Sequence, residues 1–285
     1  MKLARRLLLS SRPLSWINTA FPFAASYFFL GGEIDAFFLI TALFFLIPYN
    51  FLMYGINDIF DYESDLRNPR KGGLEGALLP PEFHRPMLIL VTVINLPFLA
   101  LITFQTLDNL FALGVFWLTI FFVVAYSAKS LRYKEMPFID SITSSLHFVG
   151  PAVFALASLE KFDGNLLTAL IAFFLWGAAS HAFGAIQDIR ADREAGIASI
   201  ATVLGARVTV RIALTAYVFA GLLLLLLPDR FAFASLAALP YLFVVGRELD
   251  ISDENCERAN RGWRLFLMLN FVAGAIVSSL LIGPM

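Results

Sequence analysis

Cysteine, histidine and charged residues are scarce in this chain. Its 285 residues include one Cys and three His, and only 15% are Asp, Glu, Lys or Arg. The single cysteine, Cys256, excludes an internal disulfide and a cysteine-based metal site. With 59% hydrophobic residues and a mean hydropathy of +0.76, the composition also excludes an ordinary soluble domain. No low-complexity tract is present, and a nucleic-acid partner is not expected.

Long apolar runs are abundant, and they predict an all-α integral membrane protein. A helix needs about 17 to 25 apolar residues to cross a bilayer of roughly 30 Å. We predict nine transmembrane helices in a single bundle, one domain over residues 1–285, with two pseudo-repeated halves. The predicted spans are 14–30, 36–56, 86–105, 109–127, 138–158, 165–187, 208–227, 231–246 and 264–283.

Positive charge is nearly missing from one side of these helices. If the N-terminus is cytoplasmic, all of the 21 Lys and Arg residues except Lys161 and Arg230 fall on the cytoplasmic side. Cytoplasmic loops collect such residues. We therefore predict a cytoplasmic N-terminus, insertion in the cytoplasmic (inner) membrane and an active site that faces the cytoplasm. No small-residue cleavage site follows the N-terminal cations, so the first helix is expected to be retained.

An acidic cluster stands at the end of the second predicted helix. If that helix continues through residue 65, Asp58, Asp61 and Asp65 are spaced by three and four residues and share one face. Three like charges beside a membrane gain nothing structurally and usually mark a functional site. A hard cation between them would relieve their repulsion, and oxygen-only ligands favour Mg²⁺ over Zn²⁺ or copper.

A second cluster, at the end of the sixth predicted helix, contains Gln187, Asp188 and Asp192. The two clusters occupy corresponding positions four helices apart, as in the repeated halves of some membrane bundles. Mg²⁺ held by a few carboxylates completes its shell with water and substrate phosphate. We therefore predict that the two acidic faces oppose each other across a cavity and bind a diphosphate through metal ions.

Cations near these clusters would contact the phosphate oxygens that the metal ions do not reach. They follow the first cluster, alternate with the second, or lie in the loop after the fourth helix, where two tyrosines accompany them: Arg67, Arg70, Lys71, Arg190, Arg193, Tyr126, Lys129, Arg132, Tyr133 and Lys134. A mixed-charge loop is otherwise solvated surface. Polar residues inside the spans, such as Asn18, have helix-to-helix hydrogen bonding as their simplest role. His181 precedes Asp188 by seven residues on the same predicted face, and we include it and Asn18 as candidate substrate contacts.

These motifs resemble the UbiA superfamily of intramembrane prenyltransferases over nearly the whole chain. The family's first motif, Asn-Asp-x-x-Asp-x-x-x-Asp, is matched in full by Asn57, Asp58, Asp61 and Asp65. Its second motif is matched by Asp188 and Asp192, which Gly196 follows. Its basic loop is matched by Tyr126, Ser127, Arg132 and Lys134, and Arg12-Pro13 before Trp16 resembles the family's first helix.

The resemblance implies a transmembrane prenyltransferase domain with a Mg²⁺ cofactor, Mn²⁺ being the alternative metal. Asn57 and the five acids of the two motifs would hold the metal ions on an isoprenyl diphosphate, while Arg67, Lys71, Arg132 and Lys134 grip its phosphates. Ionisation of the allylic C–O bond would follow, because metal and cations stabilise the departing diphosphate. A lipophilic acceptor among apolar helices, carotenoid or aromatic, would then capture the cation away from water.

Within this family, the segment NDIFDYESDLRNPRKGGLEGALL, residues 57–79, most resembles the lycopene elongase branch of C50 carotenoid synthesis. That likeness implies dimethylallyl diphosphate as donor and lycopene as acceptor. A terminal double bond would attack the allylic cation, and the resulting tertiary cation would lose a proton or take up water.

Two alternatives remain at the level of sequence. The first keeps the fold and donor but transfers the prenyl group to an aromatic acid in quinone synthesis. The second is a cation transporter, in which intramembrane carboxylates bind Ca²⁺ or carry protons. Both acidic clusters lie at helix ends beside many cations, whereas a transporter site is expected near the bilayer midplane.

Overall fold

The computed structural model describes residues 3–66 and 78–282, and within them the protein is entirely helical, without a strand. The α-helices are α1 Leu3–Ser10, α2 Ile17–Phe29, α3 Ala36–Leu46, α4 Pro48–Phe60, α5 Tyr62–Asp65, α6 His84–Gln105, α7 Leu110–Ser127, α8 Ile139–Leu159, α9 Gly164–Ile186, α10 Ile189–Ala195, α11 Ile200–Leu204, α12 Ala206–Leu225, α13 Ala238–Gly246 and α14 Ala259–Ile282. Short 3₁₀ helices cover Pro13–Ser15, Pro81–Phe83, Tyr133–Glu135, Asp229–Ala237 and Asp253–Arg258.

Eight segments of the described chain are long and apolar enough to cross a membrane. They are Ala36–Phe60, Pro81–Gln105, Leu110–Ser127, Ile139–Leu159, Gly164–Ile186, Ala206–Leu225, Asp229–Gly246 and Asp253–Ile282. An integral membrane protein is thus supported, while the count of nine spans is not confirmed. The predicted first span, 14–30, corresponds to α2, which has only 13 residues because the chain begins this stretch with a 3₁₀ turn at Pro13.

The described residues form two compact units, each carrying one acidic cluster. Unit 1 comprises residues of Met1–Tyr133 and Gly150–Lys161, and unit 2 comprises residues of Lys134–Val149 and Phe162–Met285. Helix α8 contributes its first half to unit 2 and its second half to unit 1. The single domain predicted over 1–285 stays a prediction.

Phenylalanine forms the interior of unit 1. Phe23, Phe44, Phe45, Phe116 and Phe154 are each fully buried. Their rings lie 5.2 to 6.2 Å apart in tilted, stacked and edge-on pairs, which add to the burial energy of the rings. These rings pack α2, α3, α7 and the second half of α8 together within unit 1.

A proline breaks the second predicted span in its middle. Pro48 has no N–H, so α3 ends at Leu46 and α4 begins at Pro48. The side chain of Asn50 repairs the gap: its Nδ2 donates to Phe45 O at 3.0 Å and Leu46 O at 3.1 Å, and to Thr19 Oγ1 at 2.7 Å. The break is therefore satisfied inside the protein, as the hydrocarbon region requires.

Asn50→Leu is expected to destabilise the protein by about 1–3 kcal/mol, because Leu46 O loses its side-chain donor and Phe45 O keeps only the bond from Thr19 Oγ1. The measurement is thermal or denaturant unfolding of the purified protein in detergent. Thr168→Val is the matched control, since that exposed hydroxyl donates only within its own helix, to Gly164 O at 2.9 Å. Equal stability of the two variants would contradict the repair role of Asn50.

Small residues shape the interior of unit 2, where α9 packs against α12. Gly177 on α9 has no room for a side chain, because an added Cβ would lie 2.4 Å from Ser145 Oγ. Ser145 in turn donates to Phe174 O at 2.7 Å. Gly184, about two helical turns further along α9, lies against the ring of Trp263 on α14. A Cβ added to Gly184 would lie 2.8 Å from that ring. Close approach at glycine is typical of packed membrane helices.

Candidate active site

The first acidic cluster lies at the end of α4, and all three of its carboxylates are buried. Asp58, Asp61 and Asp65 are 1%, 6% and 7% exposed. The helix through residue 65 on which the shared face depended is interrupted once: α4 ends at Phe60, Asp61 forms a turn, and the four-residue α5 follows. Hydrogen bonds from Asp61 N to Asn57 O and from Asp65 N to Asp61 O, at 2.9 and 2.8 Å, keep the chain nearly helical across the turn.

Arg12 pairs with Asp58. Its Nη2 donates to Asp58 Oδ1 at 3.2 Å, and its guanidinium carbon lies 4.3 Å from the ring centroid of Tyr54. Burial lowers the pKa of Arg12, but Asp58, Tyr54 and Asp65 together more than offset this, so that the pKa is raised overall. The side chain therefore remains a cation. A buried carboxylate needs such a partner.

Arg132 occupies the comparable position beside Asp61. Its Nη1 donates to Phe60 O at 3.2 Å and lies 3.5 Å from Asp61 Oδ1. The carbonyl belongs to the last residue of α4, where a cation is also favoured by the helix dipole. The predicted basic loop is thus brought to the first cluster through Arg132.

Asn57 is held by the end of α7. Its Oδ1 accepts a hydrogen bond from Ser127 Oγ at 3.1 Å, and Ser127 is fully buried. Tyr126 precedes Ser127 and is half-buried, Lys129 is exposed, and Lys134 is half-buried in the following 3₁₀ turn. This hydrogen bond connects the first motif with the start of the basic loop that follows α7.

Arg12 was missed as a site residue. The Arg12-Pro13 pair was noted only as a family-like feature of the first helix, although a cation before a proline at a membrane boundary was the available signal. Asn18, which was predicted to contact substrate, is half-buried on α2. Among described residues the structure does not bring it into the contacts of the acidic cluster.

The second cluster follows the end of α9. Helix α9 ends at Ile186, Asp188 lies in the turn before α10, and Asp192 is inside α10. The predicted span 165–187 agrees with α9. Asp188 lies in the turn just beyond the helix end and is still near enough to His181 to interact with it electrostatically. Gly196 terminates α10 with φ +71°, a left-handed conformation that favours glycine. Asn260 Nδ2 donates to Gln187 Oε1 at 2.7 Å and ties the cluster to α14.

Arg190 and Arg193 bind acids of the 3₁₀ helix Asp253–Arg258. Arg190 Nη1 lies 3.2 Å from Glu257 Oε1, and Arg193 Nη1 lies 2.7 Å from Asp253 Oδ2. Arg193 also donates twice to Thr202 O. These contacts hold the loops around the second cluster together, which is a structural role that the alternating charges in the sequence did not indicate.

His181 contacts the start of α8. Its Nδ1 is 3.0 Å from Ser141 Oγ. The adjacent Asp140 is fully buried and accepts hydrogen bonds from Ser141 N and Ile200 N, both at 2.7 Å. Asp140 was not singled out in the sequence, because one acid at the start of an apolar helix resembles an ordinary helix terminus. It fastens α8 to α11 within unit 2.

Arg67 and Lys71, which were predicted to bind substrate, lie outside the described residues, as does Arg70. Their roles stay predictions.

The donor set fits Mg²⁺ that is shared with a substrate. Within 3–66 and 78–282, no group of three or more His, Cys, Asp or Glu side chains is arranged to hold a metal ion by itself. The buried oxygen ligands of Asp58, Asp61 and Asp65 are nevertheless of the type that Mg²⁺ prefers. Mg²⁺ is commonly bound by one or two carboxylates together with water and substrate phosphates, rather than by a complete protein cage.

Comparisons with known proteins agree with this chemistry. A protein of Corynebacterium glutamicum called lycopene elongase/hydratase is 48% identical over 290 residues, covering 99% of this chain and 98% of that protein. A C(50) beta-cyclic carotenoids biosynthesis protein, LbtBC of Dietzia sp., is 50% identical over 280 residues, covering 97% of this chain and 64% of that protein. Such identities over nearly the whole chain indicate common descent.

The fold also matches a solved structure. A UbiA homolog from Archaeoglobus fulgidus, bound to DMAPP and Mg²⁺, superimposes with a TM-score of 0.66 at 18% identity, covering 95% of this chain and 99% of that one. At this identity the likeness concerns the fold. The model of the UbiA prenyltransferase family matches residues 19–272. Given this match and the identities above, the chain belongs to the UbiA prenyltransferase family.

Proposed function

We propose that this prenyltransferase transfers a dimethylallyl group from dimethylallyl diphosphate to lycopene, as a lycopene elongase of C50 carotenoid synthesis. The observation that carries the proposal is the 48% identity, over 99% of the chain, to a protein named lycopene elongase/hydratase. The first motif supports the proposal, because its three acids, Asp58, Asp61 and Asp65, are all buried at the end of α4.

Asn57, Asp58, Asp61 and Asp65, together with Asp188 and Asp192, would hold Mg²⁺ on the donor. The metal would supply positive charge that stabilises the departing diphosphate. The acids are buried or half-buried, so that their charge is poorly screened by water and the ion is held strongly. Mn²⁺, which accepts the same oxygen ligands, would replace Mg²⁺.

The cations of the chain would bind the phosphate oxygens. Arg132 already lies beside Asp61, and its planar guanidinium suits bidentate contact with phosphate. Arg67, Lys71, Lys129 and Lys134 would add charge. Tyr126 would add a hydroxyl group.

The reaction would begin with ionisation of the donor, in surroundings formed by apolar helices. The allylic C–O bond breaks, and its electron pair leaves with the diphosphate. A terminal double bond of lycopene attacks the allylic carbon, forming a C–C bond and a tertiary cation. That cation loses a proton to give an alkene, or adds water and then loses a proton to give an alcohol. Half-buried His181 and Asn18 are the candidate side chains for contact with the substrates.

We also propose that a single domain spans the membrane nine times, with the N-terminus and active site on the cytoplasmic side of the inner membrane. The distribution of the 21 Lys and Arg residues supports this orientation, because only Lys161 and Arg230 fall on the far side. For a ninth span, α2 would act together with the 3₁₀ turn Pro13–Ser15 that precedes it.

In the presence of Mg²⁺, membranes that contain the protein are expected to convert lycopene and labelled dimethylallyl diphosphate into diphosphate and carotenoid products that are larger than lycopene by one or two five-carbon units. Mass spectrometry identifies these products and separates alkenes from alcohols by the mass of water. Membranes without the protein are the control. A product formed only from hydroxybenzoate or naphthoate acceptors would move the protein to quinone synthesis, and no product with any acceptor would contradict the proposal.

A further inference from the structure

The contact between Arg12 and Asp58 sets a constraint on metal binding. Asp58 is 1% exposed, and Arg12 Nη2 pairs with its Oδ1 at 3.2 Å. Under the proposed function Asp58 also holds Mg²⁺. A metal ion that approaches this carboxylate must therefore share it with a fixed positive charge, and the two cations repel each other at short range.

Arg12 is held in its place by the backbone and by an aromatic ring. Its φ of 49° and ψ of 69° lie in the left-handed region, which is costly for a side chain with a Cβ and is unusual immediately before a proline. Tyr54 and Asp58 are one helical turn apart on α4, so that the ring lies under the guanidinium while the carboxylate accepts from its edge. The Tyr54 ring and the Asp58 carboxylate together hold the guanidinium group of Arg12.

We propose that Arg12 is a positioning residue that keeps Asp58 oriented and neutralised before substrate arrives, and thereby makes metal binding at this carboxylate depend on the diphosphate. The proposal rests on the proposed function, in which Asp58 is a metal ligand. Without the diphosphate, Arg12 repels the metal ion. With the diphosphate, the negative charge of the donor offsets that repulsion, so metal and donor bind cooperatively.

This arrangement would favour the complete complex over a site filled by metal alone. Arg132 repeats the pattern at Asp61, again with a left-handed φ of 49°. Two of the three buried acids in the motif therefore have an arginine beside them, set in place by a strained backbone. A cluster built only to trap a free cation would not pair its ligands with fixed positive charge.

The test measures the binding of Mn²⁺ to the purified full chain in detergent by electron paramagnetic resonance. Binding is measured alone and with dimethylallyl S-thiolodiphosphate, a donor analogue whose C–S bond resists ionisation. In the native protein the analogue should tighten Mn²⁺ binding. Without the analogue, Arg12→Gln should bind Mn²⁺ about tenfold more tightly than the native protein does. The factor by which the analogue tightens Mn²⁺ binding should be about tenfold smaller in this variant than in the native protein. Arg12→Lys, which retains the charge, should resemble the native protein.

Arg6→Gln is the matched control, because the Arg6 guanidinium lies over the Phe83 ring, 4.9 Å from its centroid, in the same N-terminal region. It should leave both Mn²⁺ affinities unchanged. If Arg12→Gln does not fold, Tyr54→Leu removes the ring beneath the guanidinium and should shift Mn²⁺ affinity in the same direction by a smaller factor.

Three outcomes separate the hypotheses. Unchanged Mn²⁺ affinity and cooperativity in Arg12→Gln, or in Tyr54→Leu if only that variant folds, would overturn the proposal for Arg12. Weaker Mn²⁺ binding under both conditions, with a lower unfolding temperature, would overturn it in favour of a purely structural role. Failure of the native protein to bind Mn²⁺ even with the analogue would instead contradict the proposed function.

Discussion

Asp61→Asn is expected to abolish prenyl transfer, with a loss of about 10³-fold or more in turnover. Asparagine has nearly the same shape as aspartate, so the turn between α4 and α5 and its hydrogen bond to Asn57 O should persist. What disappears is a buried negative charge that would hold metal on the leaving diphosphate. The measurement is product formation from labelled dimethylallyl diphosphate and lycopene in membranes.

Glu63→Gln is the control for this variant. Glu63 lies two residues away in α5 and is exposed, whereas Asp61 is buried. The same chemical change at Glu63 should leave turnover near that of the native protein. Asp188→Asn is expected to behave like Asp61→Asn. Normal turnover by either Asp variant would remove the cluster concerned from the active site.

Removing divalent metal with EDTA is expected to eliminate activity completely while leaving the helices folded. The helices are held by two buried apolar clusters and by hydrogen bonds such as that from Asn50 Nδ2 to Phe45 O, so the fold is not expected to depend on the ion. Activity should return on adding Mg²⁺ or Mn²⁺ in excess. Circular dichroism in EDTA provides the check on folding. Full activity in the chelator would mean that the carboxylates serve another purpose.

Much of the candidate site could be predicted because motif residues are close together in the chain. Asp58, Asp61 and Asp65 depend only on helical spacing, and the structure keeps them buried together even though α4 breaks at Asp61. The prediction of nine spans is not confirmed, because hydropathy averages over a window and does not register the 3₁₀ turn that shortens α2.

Charge pairing could not be predicted in the same way. Arg190 and Arg193 alternate with the second acidic motif, yet they bind Glu257 and Asp253, which lie 67 and 60 residues further along the chain. A sequence reveals which cations are near an acid along the chain, but ion pairs depend on which loops meet in space. Arg12 and Asp58, 46 residues apart, illustrate the same limit.

By itself, the sequence determined the class of protein and the location of its acids, because membrane insertion and motif spacing are local properties of a chain. Hydropathy specified the apolar helices, and the two motifs specified where the carboxylates stand on them. Only the tertiary structure decided which partner each polar group receives: Arg12 for Asp58, Arg132 for Asp61, and Asn50 for the carbonyls left by Pro48. Those pairings arise from packing between distant segments, since a buried polar group is stabilised by whichever partner the fold brings near it.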